Sequence, residues 1–127
     1  MLFLFTALGC ALGGVVRYLT MTLLTRKYGG KFPWGLLLVN TLGSGLLGLY
    51  AGLTSADSSA WVGGAATQAF FVVGFCGGLT TFSTFSLENI QMVSKKAWGQ
   101  LAWQVFGSVG ICLFAVLGGY LIGGGKW

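Results

Sequence analysis

The sequence predicts an all-α integral membrane protein of four membrane-spanning helices, the third broken near its middle, forming one domain over residues 1–127. Three observations predict it. The chain is 55% hydrophobic and 7% charged, whereas a soluble domain carries roughly a quarter charged residues because water must wet its surface. Four apolar stretches each supply the about 20 residues that cross a hydrocarbon core of about 30 Å. Trp34, Trp61, Trp98 and Trp127 fall at the ends of those stretches, where amphipathic rings sit at headgroup level.

Taken in order, the spans are Leu2–Leu24, interrupted by Arg17, then Trp34–Leu53, Val62–Val93 and Gly99–Gly124. The segments Thr25–Pro33, Thr54–Trp61 and Ser94–Trp98 hold turn formers and charges and read as connections. Met1 to Cys10 lacks a basic leader, so it reads as part of the first span and not as a cleaved signal. The third span is too long: its 32 residues would run to about 48 Å as one helix. Its middle, Gly77-Gly78-Leu79-Thr80-Thr81-Phe82-Ser83-Thr84-Phe85, is poor material for an uninterrupted apolar helix, and a break near Gly77–Thr81 is expected. Unwound backbone at membrane depth survives only when protein buries it or when it lines a polar cavity, and broken helices supply ion sites at their exposed termini. The pairs Gly9–Gly13, Gly48–Gly52, Gly74–Gly78 and Gly119–Gly123 match small-xxx-small packing. Four helices make a thin bundle, so oligomerisation is expected.

Seven basic and two acidic residues give a net charge of +5. The basic residues lie mostly between spans, where topology and lipid headgroups account for them; nucleic acid is not the expected partner. The chain has no His, the commonest general base and metal ligand, and no nucleophile–base pair can be assembled, so an enzyme is not expected. Cys10, Cys76 and Cys112 are far apart within apolar stretches and suggest neither a disulfide framework nor a metal site.

The polar residues inside the spans are the candidates for function. Arg17 needs a partner or water, because a charge near the bilayer centre costs about 2.5–3.5 kcal/mol. It either snorkels to the interface or stands at the mouth of an aqueous cavity attracting anions, with Glu88 as a possible partner. Asn40 offers donors and an acceptor that are costly to leave unpaired in hydrocarbon, either for an interhelical hydrogen bond or for a passing anion. Phe82 and Phe85 share a helix face and alternate with Ser83 and Thr84. Core packing is the default for such rings, but their positive edges, with hydroxyl donors including Ser108, could solvate a small anion.

With these residues assembled, the sequence resembles the Fluc/CrcB fluoride channels over its whole length. The carrying pieces are Gly13-Gly14 with Arg17-Tyr18, Leu38-Val39-Asn40, and the long string from Gly74 to Phe85. The resemblance implies a passive fluoride channel that protects microbial cells, built as an antiparallel dimer in the cell membrane with two pores. It implies that Asn40, Phe82, Phe85, Ser83, Thr84 and Ser108 line the fluoride path, with Arg17 in the vestibule. It also implies that the main-chain carbonyls of Gly77 and Thr80 hold a structural sodium ion on the dimer axis. A proton-driven multidrug exporter would be expected to carry a carboxylate in its first span, which has none. A non-transporting assembly subunit would leave the broken span unexplained.

Orientation follows from charge. Both termini and the Thr54–Trp61 loop share one side, which carries Lys126; the other carries Arg26, Lys27, Lys31, Lys95 and Lys96. Lys and Arg are retained in the cytoplasm, so the termini are expected outside. Two assemblies stay open, a dual-topology homodimer and a heterodimer with an oppositely oriented paralogue.

Overall fold

The computed structural model describes residues 1–30, 32–56 and 63–126, and four helices in it are long and apolar enough to cross a membrane. α1 is Leu2–Tyr28 and α2 is Trp34–Ala56. The third span, Ala65–Ser94, consists of α3 (residues 65–79) and α4 (Phe82–Ser94). α5 is Trp98–Ile122. Two stretches, Gln68–Cys76 in α3 and Trp103–Gly107 in α5, have the wider i→i+5 turns of a π-helix. The expected connections through Lys31 and from Asp57 to Val62, and the interfacial positions of Trp61 and Trp127, lie outside the described residues.

α1 runs one turn beyond the expected Leu24. Arg26 and Lys27 occupy its last turn, where cations oppose the negative end of the helix dipole. Gly29 then ends the helix in the left-handed region, φ 74°, with its N–H donating to the Thr25 carbonyl; a residue with a Cβ is strained there. Pro33 precedes Trp34 and its carbonyl accepts the Leu37 N–H at 3.1 Å, so α2 is closed from its first turn.

Helix pairing is built from glycine. In lipid, burying apolar side chains gives little drive for helices to associate, so close packing must supply it. Gly9 and Gly13 of α1 lie against the backbone of α3 from Phe70 to Leu79, and Gly74 and Gly78 approach α1 in return at Gly9 and Cys10. Gly48 and Gly52 of α2 face the carbonyls of Val116 and Tyr120, while Gly119 and Gly123 face those of Gly45 and Leu49. All four expected glycine pairs thus sit in two seams. Sequence number rises together on both sides of each seam, so α1 runs parallel to the third span and α2 parallel to α5.

This arrangement puts Arg26, Lys27, Lys95 and Lys96 at one end of the bundle, where a polar cavity of about 270 Å³ is lined by Gly29, Gly30, Glu88, Gln91, Lys95 and Gln100 among others. The buried apolar side chains among the described residues are Leu36, Val39, Cys76, Leu79 and Met92, whereas Phe3, Phe106, Phe114 and Ile122 are almost fully exposed. Such an outward-facing apolar surface suits lipid and cannot be wetted.

The seams make a test. Gly48→Ala drives a Cβ into the Val116 carbonyl, whereas a Cβ on Gly99 meets nothing within 4 Å. Gly48→Ala is expected to cost about 1–3 kcal/mol as an overpacked contact, and Gly99→Ala to stay within about 0.5 kcal/mol of the parent chain. Thermal unfolding of the two variants in detergent micelles measures the difference; equal midpoints would dissolve the seam as the basis of packing.

Candidate functional site

The third span breaks at two residues. Thr80 (φ −81°, ψ 155°) and Thr81 (φ −153°, ψ 126°) are extended, and the helix continues unbroken through Gly77–Leu79. The break therefore falls at the C-terminal edge of the expected Gly77–Thr81 window. The glycines do not unwind the helix: Gly78 is spent on contact with Cys10 of α1.

Two extended residues at this depth free backbone groups that lipid cannot satisfy, and side chains from both neighbouring helices take them up. The Thr81 N–H donates to Asn40 Oδ1 at 3.0 Å, and Asn40 Nδ2 donates to the Thr81 carbonyl at 3.4 Å. Arg17 Nη1 donates to the Thr80 carbonyl at 3.3 Å. Thr80 keeps its own turn closed, its N–H and its hydroxyl both donating to the Cys76 carbonyl at 3.0 Å. Thr81 then caps α4, its hydroxyl accepting the Thr84 N–H at 3.4 Å, as an N-cap threonine does. Space for the Thr80 methyl comes from Gly43, where a Cβ would collide with it.

Beside the break a cavity of about 560 Å³ lies between α2, the third span and α5. It gathers Asn40, Gly77, Thr80, Phe82, Phe85 and Ser108, and none of its lining residues carries a charge. The Phe82 and Phe85 ring centroids are 5.7 Å apart with planes at 34°. Phe82 is 78% exposed in the single chain, so its ring forms an open wall of the groove. Ser108 is only 6% exposed, and its Oγ has no hydrogen-bond partner. One turn earlier Gln104 is completely buried with both amide atoms unpartnered. Groups of this kind cost about 1–3 kcal/mol each when left unmade.

The structure thus brings six of the expected residues to one cavity and puts four elsewhere. Ser83 and Thr84 have hydroxyls 3.1 and 3.3 Å from the Thr81 hydroxyl, forming the cap cluster of α4. Arg17 lies against the Thr80 carbonyl. Glu88 lines the polar cavity at the basic end of the bundle, and the suggested Arg17–Glu88 pair is not made. Thr81 at the site, and Gln104 one turn from Ser108, escaped the reading of the sequence. Thr81 carries the ordinary N-cap signal of a hydroxyl residue ahead of a helix. Gln104 carries the same signal as Asn40, an amide within an apolar span.

A family model described as CrcB-like protein, Camphor Resistance (CrcB), matches residues 4–120. The chain is 42% identical over 115 residues to the fluoride-specific ion channel FluC of Paramagnetospirillum magneticum, covering 91% of this chain and 89% of that protein. It is 42% identical over 120 residues to the FluC of Opitutus terrae, covering 94% and 90%, and 37% identical over 120 residues to that of Methylocella silvestris, covering 94% and 91%.

Asn40 and Gln104 are both buried amides with opposite hydrogen-bonding states, and their replacement should act in opposite directions. Asn40→Leu strands the Thr81 N–H and carbonyl and is expected to destabilise by about 1–3 kcal/mol. Gln104→Leu removes two unpartnered polar atoms and is expected to be neutral or stabilising by about 1 kcal/mol. Unfolding midpoints in micelles read both signs.

Proposed function

The chain belongs to the CrcB family, and from that premise we propose that it is a fluoride-selective channel of the cell membrane giving passive fluoride efflux. The observation that carries the mechanism is the charge-free cavity in which a buried Ser108 hydroxyl without a partner stands with Asn40, Phe82 and Phe85. Fluoride is small and tightly hydrated, so a path must replace its water with close donors. Ser108 has a free O–H, and Asn40 Nδ2 keeps a second N–H after serving Thr81. The positive edges of the Phe82 and Phe85 rings add weak attraction. None of these groups is ionised, which keeps binding weak enough for the ion to leave. Ser83 and Thr84 join the donor set where α4 begins, and Glu88 serves the vestibule at the basic end.

The proposal extends to a structural sodium ion on the Gly77 and Thr80 carbonyls. Hard cations take oxygen ligands, and the geometry of the break is compatible with that. The Thr81 N–H, which would close onto the Gly77 carbonyl in a continuous helix, is diverted to Asn40. Among the described residues the Thr80 carbonyl accepts the Arg17 bond alone and has a second lone pair. Two carbonyls are few for such an ion, and an antiparallel second subunit would double them. That subunit would also close the groove walled by the exposed Phe82 ring. It is either a second copy of this chain in the opposite orientation or an oppositely oriented paralogue.

In sodium-loaded liposomes the purified protein is expected to pass fluoride and exclude chloride. Phe82→Ile or Phe85→Ile should cut fluoride flux at least about tenfold, a loss of about 1.4 kcal/mol or more at the barrier, without loss of the dimer. Exchanging sodium for N-methylglucamine should reduce flux or dissociate the dimer. Full flux in both ring variants would return the rings to a packing role, and full activity without sodium would remove the ion.

The two assemblies differ in what whole cells expressing the chain alone should show. With cysteines introduced as Lys31→Cys and Lys126→Cys, an impermeant thiol reagent labels both sites in a dual-topology homodimer. It labels only Lys126→Cys in a subunit of fixed orientation that needs a paralogue.

A further inference from the structure

We propose that Arg17 is the positioning residue of the broken segment, acting at contact range on the Thr80 carbonyl and not as a distant attractor of anions. The argument starts from register. Gly9, Gly13 and Arg17 stand four residues apart on α1, so they lie along one face of the helix. The two glycines bring the α1 backbone onto α3 at Phe70–Gly74 and at Phe75–Leu79. Arg17 is the next step of the same seam, and the residue opposite it is Thr80, the first one past the end of α3. Its Nη1 donates to the Thr80 carbonyl at 3.3 Å. The carbonyl of an extended residue at this depth has no helical N–H to accept, and a charged donor makes a stronger bond to it than a neutral one.

Two further observations separate this role from anion attraction. Arg17 is not among the residues lining the charge-free cavity that holds Phe82, Phe85 and Ser108. Among the described residues, Glu88 makes no ion pair with it and lies at the other cavity, so the guanidinium's contact is with main chain. With Asn40 fixing Thr81 from α2, Arg17 fixes Thr80 from α1. The break is held from two sides by side chains that do not belong to its own span.

The test uses the full-length protein in micelles and in liposomes. Amide hydrogen exchange over residues 76–88 is measured for the parent chain, R17K and R17Q. R17K keeps the charge but loses the planar fork, and it also covers the case in which R17Q does not assemble. Exchange at residues 80–85 is expected to rise about tenfold or more in R17Q and several-fold in R17K, with α2 and α5 unchanged. In parallel, fluoride flux is measured in added potassium chloride at fixed sodium. Between about 0.01 M and 1 M salt the screening length falls from about 30 Å to about 3 Å. A contact-range role leaves the ratio of variant to parent flux constant across that series. Unchanged exchange in both variants, or a flux deficit that vanishes at high salt, overturns the proposal. The flux arm rests on the fluoride reading and the exchange arm does not, so a parent chain that passes no fluoride would sink that reading while exchange still decides the role of Arg17.

Discussion

The fold depends on satisfying three backbone groups where the third span is interrupted, the Thr80 carbonyl and the N–H and carbonyl of Thr81. In hydrocarbon an unpaired N–H or C=O costs several kcal/mol, so a span of 30 residues can be broken only if its neighbours supply partners. The neighbours do so with one long cation and one amide, Arg17 from α1 and Asn40 from α2. Both must be held at the right height and distance, and that requirement reaches outward into the rest of the bundle. α1 gets close enough because Gly9 and Gly13 have no side chains, and α2 admits the Thr80 methyl because position 43 is glycine. The polar residues and the glycines of this sequence are thus parts of one solution.

The break also creates the chemistry. Ending α3 at Leu79 and restarting at Phe82 puts two aromatic rings and a short run of hydroxyls beside an uncharged cavity. Ser108 and Gln104 approach from α5 with hydrogen-bonding capacity unspent. A protein interior seldom leaves such groups unmade. Ser108 is left so at the wall of the cavity, and its unspent capacity is what the proposed fluoride reading uses.

Much of this was legible in the sequence. Span number and the approximate position of the break followed from hydrocarbon thickness and from the run of glycines and hydroxyls between Gly77 and Thr84. The glycine pairs announced close helix contact, and the seams used every one of them. The details that escaped depend on neighbours in space. The exact pair of extended residues, Thr80 and Thr81, could not be told from Gly77–Leu79 because the glycines there serve packing against α1. The partner of Arg17 was sought among carboxylates, yet a carbonyl freed by the break was nearer; main-chain acceptors carry no signal in sequence. Asn40 was open between structure and transport; the structure shows it bonding Thr81, which occupies only part of the amide.

The two seams have a mechanical consequence. Each joins a parallel pair of helices backbone to backbone, α1 with α3 and α2 with α5, and backbones in contact have no rotamers through which to yield. Each pair therefore behaves as a stiff plank, and the cavity lies in the gap between planks, floored by α2 and α5 on one side and by the third span on the other. The two pairs meet across the gap at the Asn40–Thr81 bonds, where Gly43 admits the Thr80 methyl, and where Gly35 of α2 lies against Met21 of α1. A substitution that loosens either seam would therefore be felt at the cavity, whose walls the two pairs supply.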